Sequence, residues 1–116
     1  VTPLMVAAKK NHVACVKSLL SHKAEPNAKD RDGRTALVHG TCFGNLQAVK
    51  VLLEKGASPN EGDVNGYTPL ILAAVKNDVA CLQSLLSHKA DPNVKDKDGR
   101  TALYHAARDG QSESVK

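Results

Sequence analysis

The sequence predicts an all-α repeat solenoid: stacked helix-turn-helix units with projecting β-hairpin-like loops. Three observations carry that reading. Thr2, Thr35, Thr68 and Thr101 fall at one spacing of 33 residues (35−2, 68−35, 101−68), with matching residues after each. An apolar stripe of helical period recurs in step with them, and so does a turn signature rich in Asp and Gly. A fixed period without insertions means like units stacked in a row, each burying its apolar face on its neighbours.

The first helix of each unit opens at its threonine: Thr2-Pro3-Leu4, Thr35-Ala36-Leu37, Thr68-Pro69-Leu70 and Thr101-Ala102-Leu103. Thr is a good N-cap, and Pro suits the first helical position because the N–H it lacks was unpaired anyway. The small pairs Ala7-Ala8, Ala73-Ala74 and Ala106-Ala107 follow one turn later and let neighbouring helices approach closely. Gly40-Thr41 replaces that pair in the second unit and is expected to loosen its helix.

The second helix carries Val13, Val16, Leu19 and Leu20, echoed by Leu46, Val49, Leu52 and Leu53 and by Val79, Leu82, Leu85 and Leu86. Their spacing makes one apolar stripe on a helix. Pro26-Asn27, Pro59-Asn60 and Pro92-Asn93 end these helices. The segments beginning at Asp30, Asp63 and Asp96 and closing at Gly33, Gly66 and Gly99 have Asp at the first turn position and Gly at the fourth. Residues 68–110 also match residues 2–44 at roughly two-thirds of positions, which points to a duplicated two-unit block.

With Thr-Pro-Leu, the Ala pair, the Leu-Leu stripe and the Asp-x-x-Gly turn in place, the chain resembles the ankyrin-repeat family along essentially its whole length. Residues 1–116 read as one domain, with repeats near 1–29 (partial), 30–62, 63–95 and 96–116 (partial). Val1 begins inside a repeat and Lys116 precedes the last Leu-Leu pair, so a cut through a longer array is expected; Ser112 and Ser114 form the alternative, a weak polar cap. Three departures from the family stand out. Met5, Val38, Ile71 and Tyr104 replace the usual His after Thr-Pro-Leu, while His39 and His105 come one place later, at a position the family fills with apolar side chains. Lys23 and Lys89 stand where a Gly usually caps the second helix, a role kept by Gly56; a left-handed lysine costs on the order of 1 kcal/mol.

Composition narrows the function. Hydrophobic residues make up 41% and aromatics only 3%, so the core must be built from Leu, Val and Ala. No apolar run reaches the ~18–20 residues that span a membrane. Cys15, Cys42 and Cys81 are an odd set without a CxxC pair, consistent with a reducing, cytosolic or nuclear compartment. Cys15 and Cys81 sit on the apolar stripes, where Cys acts as a small hydrophobe. No His or Cys pair has zinc-ligand spacing, and no nucleophile, phosphate-loop or paired-carboxylate motif is present, so neither a metal, a cofactor nor catalysis is expected.

The resemblance implies binding through the loop tips and the exposed side of the first helices. Those positions hold an apolar centre of Cys42, Phe43, Val64, Tyr67 and Val75. Around it lies a basic frame of Lys9, Lys10, Lys29, Arg31, Arg34, Lys76, Lys95, Lys97, Arg100 and Arg108, in a chain of net charge +4. Exposed aromatics ringed by polar groups mark interaction hot spots. The expected function is a non-catalytic, monomeric protein-recognition module for a segment with apolar anchors and acidic residues. A passive spacer within a longer array is the first alternative. Nucleic-acid binding through the basic face is the second, though aromatic platforms and groove-reading helices are missing. Cys42 is expected near a helix end as an exposed thiol, and the resemblance also implies Asn27, Asn60 and Asn93 as hydroxylation acceptors.

Overall fold

A computed structural model describes residues 1–109; Ser112, Ser114 and the rest of 110–116 lie outside the described residues. Among the described residues seven helices follow one another: α1 (Pro3–Lys9), α2 (Val13–Ser21), α3 (Ala36–Cys42), α4 (Leu46–Glu54), α5 (Pro69–Val75), α6 (Val79–Ser87) and α7 (Ala102–Asp109). Each short helix packs on the longer one that follows, and α1, α3, α5 and α7 form one layer while α2, α4 and α6 form a second. Among the described residues there is no strand.

The threonines start the short helices as expected. Thr2, Thr35 and Thr68 each accept the backbone N–H three residues on, at 3.2, 3.2 and 3.3 Å. Val16, Leu37, Val49, Leu52, Ile71 and Leu85 fill a continuous core between the layers. The turn between short and long helix places Asn11, Gly44 and Asn77, again one period apart, at φ of 57, 68 and 56°.

Gly40-Thr41 does not shorten the helix of the second unit. α3 runs for seven residues, as α1 and α5 do. The Thr41 hydroxyl donates to the Leu37 carbonyl at 2.8 Å, and Gly40 is buried beside Val49 and Ala8, where a Cβ would make ordinary contact. Lys23 and Lys89 take the left-handed cap at φ 68 and 70°, and Gly56 takes it at 101°, as the repeat alignment required.

The loops join the units edge to edge. In each, one Asp carboxylate oxygen accepts two backbone N–H groups: Asp30 from Asp32 and Arg34, Asp63 from Asn65 and Tyr67, Asp96 from Asp98 and Arg100. The hairpin-like shape is therefore a tight turn closed on a carboxylate. Adjacent turns share one backbone bond, from Val64 N–H to the Asp32 carbonyl and from Lys97 N–H to the Asn65 carbonyl. Further back, Asn27 and Asn60 accept the N–H of Ser58 and Asp91 at 2.7 Å each, so side chains tie the first unit to the second and the second to the third.

His39 and His105 explain the two misplaced polar residues. Their Nε2 atoms lie 2.8 Å from the second carboxylate oxygens of Asp30 and Asp96, pinning each turn to the helix behind it. Leu72 holds the equivalent place in the third unit, where Asp63 has no such partner to meet. Burial alone would raise the Asp30 carboxyl; the Arg34 N–H, the His39 bond and the Asp32 N–H outweigh it and hold it below 3.8. Asp96 is likewise lowered, burial being outweighed by His105 and the N–H groups of Arg100 and Asp98.

Candidate functional site

The expected binding residues fall into two groups. One lies at the loops. Val64 is 62% exposed at its turn tip, with Arg31 and Lys97 exposed in the neighbouring turns. Arg34 is half-buried, and Lys29 is committed to an ion pair with Glu61 at 2.9 Å. Tyr67 is also half-buried; it packs on the core and meets the His105 ring edge-on at 5.9 Å. It is a wall of the loop layer more than an open anchor.

The other group lies at the far ends of the short helices. Cys42 closes α3, Phe43 is its cap, and Val75 and Lys76 hold the corresponding places in α5. Seven helical residues, about 10 Å, separate this group from the loops. The structure therefore does not bring Cys42, Phe43, Val64, Tyr67 and Val75 into one patch.

At the helix ends a shallow groove of about 650 Å³ opens between the α3–α4 and α5–α6 turns. Cys42, Phe43 and Lys76 line it, joined by Gly44, Asn77, Asp78 and Val79. The Phe43 ring is 54% exposed, and the Lys9 ammonium from the preceding unit lies 5.4 Å from its centroid. A cation over an aromatic face is attractive and holds the ring in place. Cys42 is half-buried in the groove wall, less open than its place in the sequence suggested.

Asp78 was not singled out from the sequence. Its carboxylate caps α6 by accepting the Cys81 N–H at 3.2 Å. Burial first, and this carboxylate second, push the Cys81 thiol up to about 12, so that sulfur is inert packing. Asp78 comes from the unit after Phe43, and nothing in the linear sequence marks the two as neighbours.

Arg100 and Arg108 meet at a third residue the sequence did not offer. Their guanidinium carbons lie 4.9 and 5.8 Å from the centroid of the Tyr104 ring. Tyr104 holds the position of buried Val38 and Ile71 but is 41% exposed on α7, and its ring is edge-on to His105 at 5.4 Å.

Cys15 corrects an expectation. It is exposed, whereas its counterpart Cys81 is buried, because no helix pair among the described residues covers the outer face of α2. Among the described residues no three His, Cys, Asp or Glu side chains are grouped to hold a metal ion, and no helix is long and apolar enough to cross a membrane.

Stacked two-helix units with tied turns and an exposed groove define a helical repeat-type recognition scaffold. The family model for ankyrin repeats matches residues 1–63 and 58–116, and the chain belongs to the ankyrin-repeat family. Ankyrin repeats are generally protein–protein interaction modules and typically non-catalytic. No curated protein matches the chain.

Proposed function

We propose that this chain is a non-catalytic, monomeric module that binds a protein segment carrying apolar anchors beside acidic residues. One observation carries the reading: the single Phe of the chain stands 54% exposed over an open groove, with lysines of both neighbouring units around it. An exposed aromatic ring over a groove and rimmed by polar groups is where partner contacts concentrate, and the surrounding cations favour acid-bearing partners. Phe43, Cys42 and Lys76 form the seat, with Lys9 and Lys10 beside it. The loop residues Arg31, Arg34, Val64, Lys97 and Arg100, with Arg108 on α7, form a second, mainly basic contact that speeds encounter, and Tyr67 and Val75 support the two areas. The three thiols, all free, support a reducing compartment such as cytosol or nucleus.

The test is a nuclease-treated pull-down at physiological salt, comparing wild type with Phe43→Ser, followed by measured affinity for any recovered protein. Phe43→Ala should weaken that binding by at least ~1 kcal/mol, chiefly through faster dissociation. Unchanged affinity removes the seat from the proposal. Recovery that survives Phe43→Ser but collapses with salt and nuclease favours nucleic acid, and no recovery favours the spacer reading.

A further inference from the structure

The junction between the first and second units and the junction between the second and third differ at one position. Asn45 and Asp78 are repeat equivalents, and each stands just before the second helix of its unit. The Asn45 amide turns back to the unit before it. Its Nδ2 donates to the Ala8 and Lys9 carbonyls, both at 2.8 Å, and α4 begins without a side-chain cap. One carboxamide thus meets two carbonyls at the end of α1, where a helix leaves its last acceptors unpaired.

Asp78 cannot repeat that contact, because a carboxylate only accepts hydrogen bonds. It points forward instead and caps α6 through the Cys81 N–H at 3.2 Å. Thr41 and Cys42 are the equivalents of Ala8 and Lys9. The Thr41 carbonyl accepts the Gly44 N–H at 3.0 Å, but the Cys42 carbonyl meets no protein donor among the described residues. The second Asp78 oxygen leans toward the same turn, 3.6 Å from where a Cβ on Gly44 would stand. A carboxylate beside the negative end of a helix favours the arrival of a donor.

These acceptors belong to the groove beside Phe43, whose lining includes Cys42, Lys76 and Asp78. Charge decides which donor fits. A guanidinium or ammonium would enter between Lys76 and the Lys9 ammonium, which already lies 5.4 Å from the Phe43 centroid. A neutral carboxamide escapes that repulsion, and it carries two N–H donors and a carbonyl acceptor in one plane. The groove offers the matching set: the Cys42 carbonyl and the Asp78 carboxylate for the donors, the Lys76 ammonium for the acceptor.

We propose that this groove reads a carboxamide, a Gln or Asn side chain of the bound segment that lies close in sequence to the apolar anchor on Phe43. That side chain does between the second and third units what Asn45 does between the first and second. The inference rests on the seat proposed above and adds a residue type that neither apolar burial nor net charge selects. Asp78 is then the residue that determines this specificity.

The test selects a random library of displayed short peptides on wild type, on Phe43→Ser and on Asp78→Asn. Asp78→Asn keeps the side-chain shape and a good capping residue, but its amide competes for the Cys42 carbonyl as Asn45 does for that of Lys9. Among peptides that need Phe43, Gln or Asn near the apolar residue should be enriched about tenfold over Ala on wild type, as hydrogen bonds to a charged group imply. On Asp78→Asn that enrichment should vanish while the apolar and acidic preferences stay. Phe43-dependent peptides with apolar and acidic residues but no carboxamide overturn this inference and leave the seat standing. A carboxamide preference that survives Asp78→Asn overturns it, and so does Lys or Arg selected in its place. Loss of the apolar preference on Asp78→Asn makes Asp78 a prop of the groove wall and overturns its role as reader. Selection indifferent to Phe43 overturns the seat and this inference together.

Discussion

Gly66 and Gly99 occupy the same place in successive turns, at φ 80 and 78°, yet they should respond differently to Ala. The left-handed penalty is common to both, on the order of 1–2 kcal/mol. So is the small unfolded-state gain from adding a side chain, about 0.4–1 kcal/mol in the opposite direction. The surroundings are not common. A Cβ at Gly99 meets nothing within 4 Å, whereas at Gly66 it comes 2.9 Å from the Asp96 Cα and 3.0 Å from the Lys97 nitrogen. Carbon atoms rest at about 3.5–4.0 Å, so the next turn must move away by more than about half an ångström. That movement strains the 2.8 Å bond from Lys97 N–H to the Asn65 carbonyl, the one backbone link between these turns. Crowding of this kind and a weakened hydrogen bond together add about 2 kcal/mol at Gly66 alone. Urea unfolding followed by circular dichroism should give Gly66→Ala the lower unfolding free energy by that margin. Equal losses at the two positions would refute the claim that close packing of turns, beyond backbone conformation, requires this glycine.

The remaining stability predictions concern caps and charge. Lys23→Gly and Lys89→Gly relieve left-handed lysines at φ 68 and 70°, and each should stabilise by about 1 kcal/mol. They lie two units apart, so the double variant should show the sum in the same urea assay; a loss in either would mean the lysine stem contributes packing that outweighs the strain. Asp30 and Asp96 titrate below 3.8 in the fold, so as pH falls the unfolded chain takes up these protons first. Their contribution is fully present above 3.8 and is lost as pH falls through the folded-state values. Replacing His39 by Leu, the residue the third unit carries at Leu72, should shallow the fall in urea midpoint between about pH 5 and pH 2. An unchanged slope would show that the backbone N–H groups alone hold the Asp30 carboxylate.

The scaffold was largely legible in the sequence because a repeat states each structural requirement several times. The left-handed caps could be placed at Lys23 and Lys89 although lysine gives no sign of that conformation, since Gly56 marks the position one unit away. The same averaging hid what depends on neighbours. Cys15 and Cys81 each close a Val-Ala-Cys triplet and stand before the same Ser-Leu-Leu-Ser-His-Lys-Ala run, yet one is exposed and the other buried, because a preceding helix pair covers only the second. His39 read as a polar residue out of place because its partner, Asp30, lies in a turn that folds back onto the helix. At the candidate site the exposure of Phe43 was legible, but the groove beside it was not. Its second wall, Asp78 and Val79, belongs to the next unit and is brought there by stacking alone.

Regular stacking also turns the candidate seat into a ruler. Lys10, Phe43 and Lys76 occupy one position in three successive units, and all three are exposed. Packed helices lie about 8–10 Å apart, so the row repeats at that interval. An extended peptide advances about 3.3 Å per residue, hence about three residues per unit. A segment lying along the row with an apolar side chain at the Phe43 groove then brings carboxylates to Lys10 and Lys76 from three places on either side. A displayed library of nine-residue peptides, selected on the wild-type chain and counter-selected on Phe43→Ser, should enrich acid-x-x-apolar-x-x-acid. Exchanging Lys10 and Lys76 for Glu should remove that preference while leaving the apolar residue. Selection of an apolar residue with acids at other spacings would reject the ruler but keep the seat. No enrichment dependent on Phe43 would reject both, and would leave the basic loops as the surface to pursue.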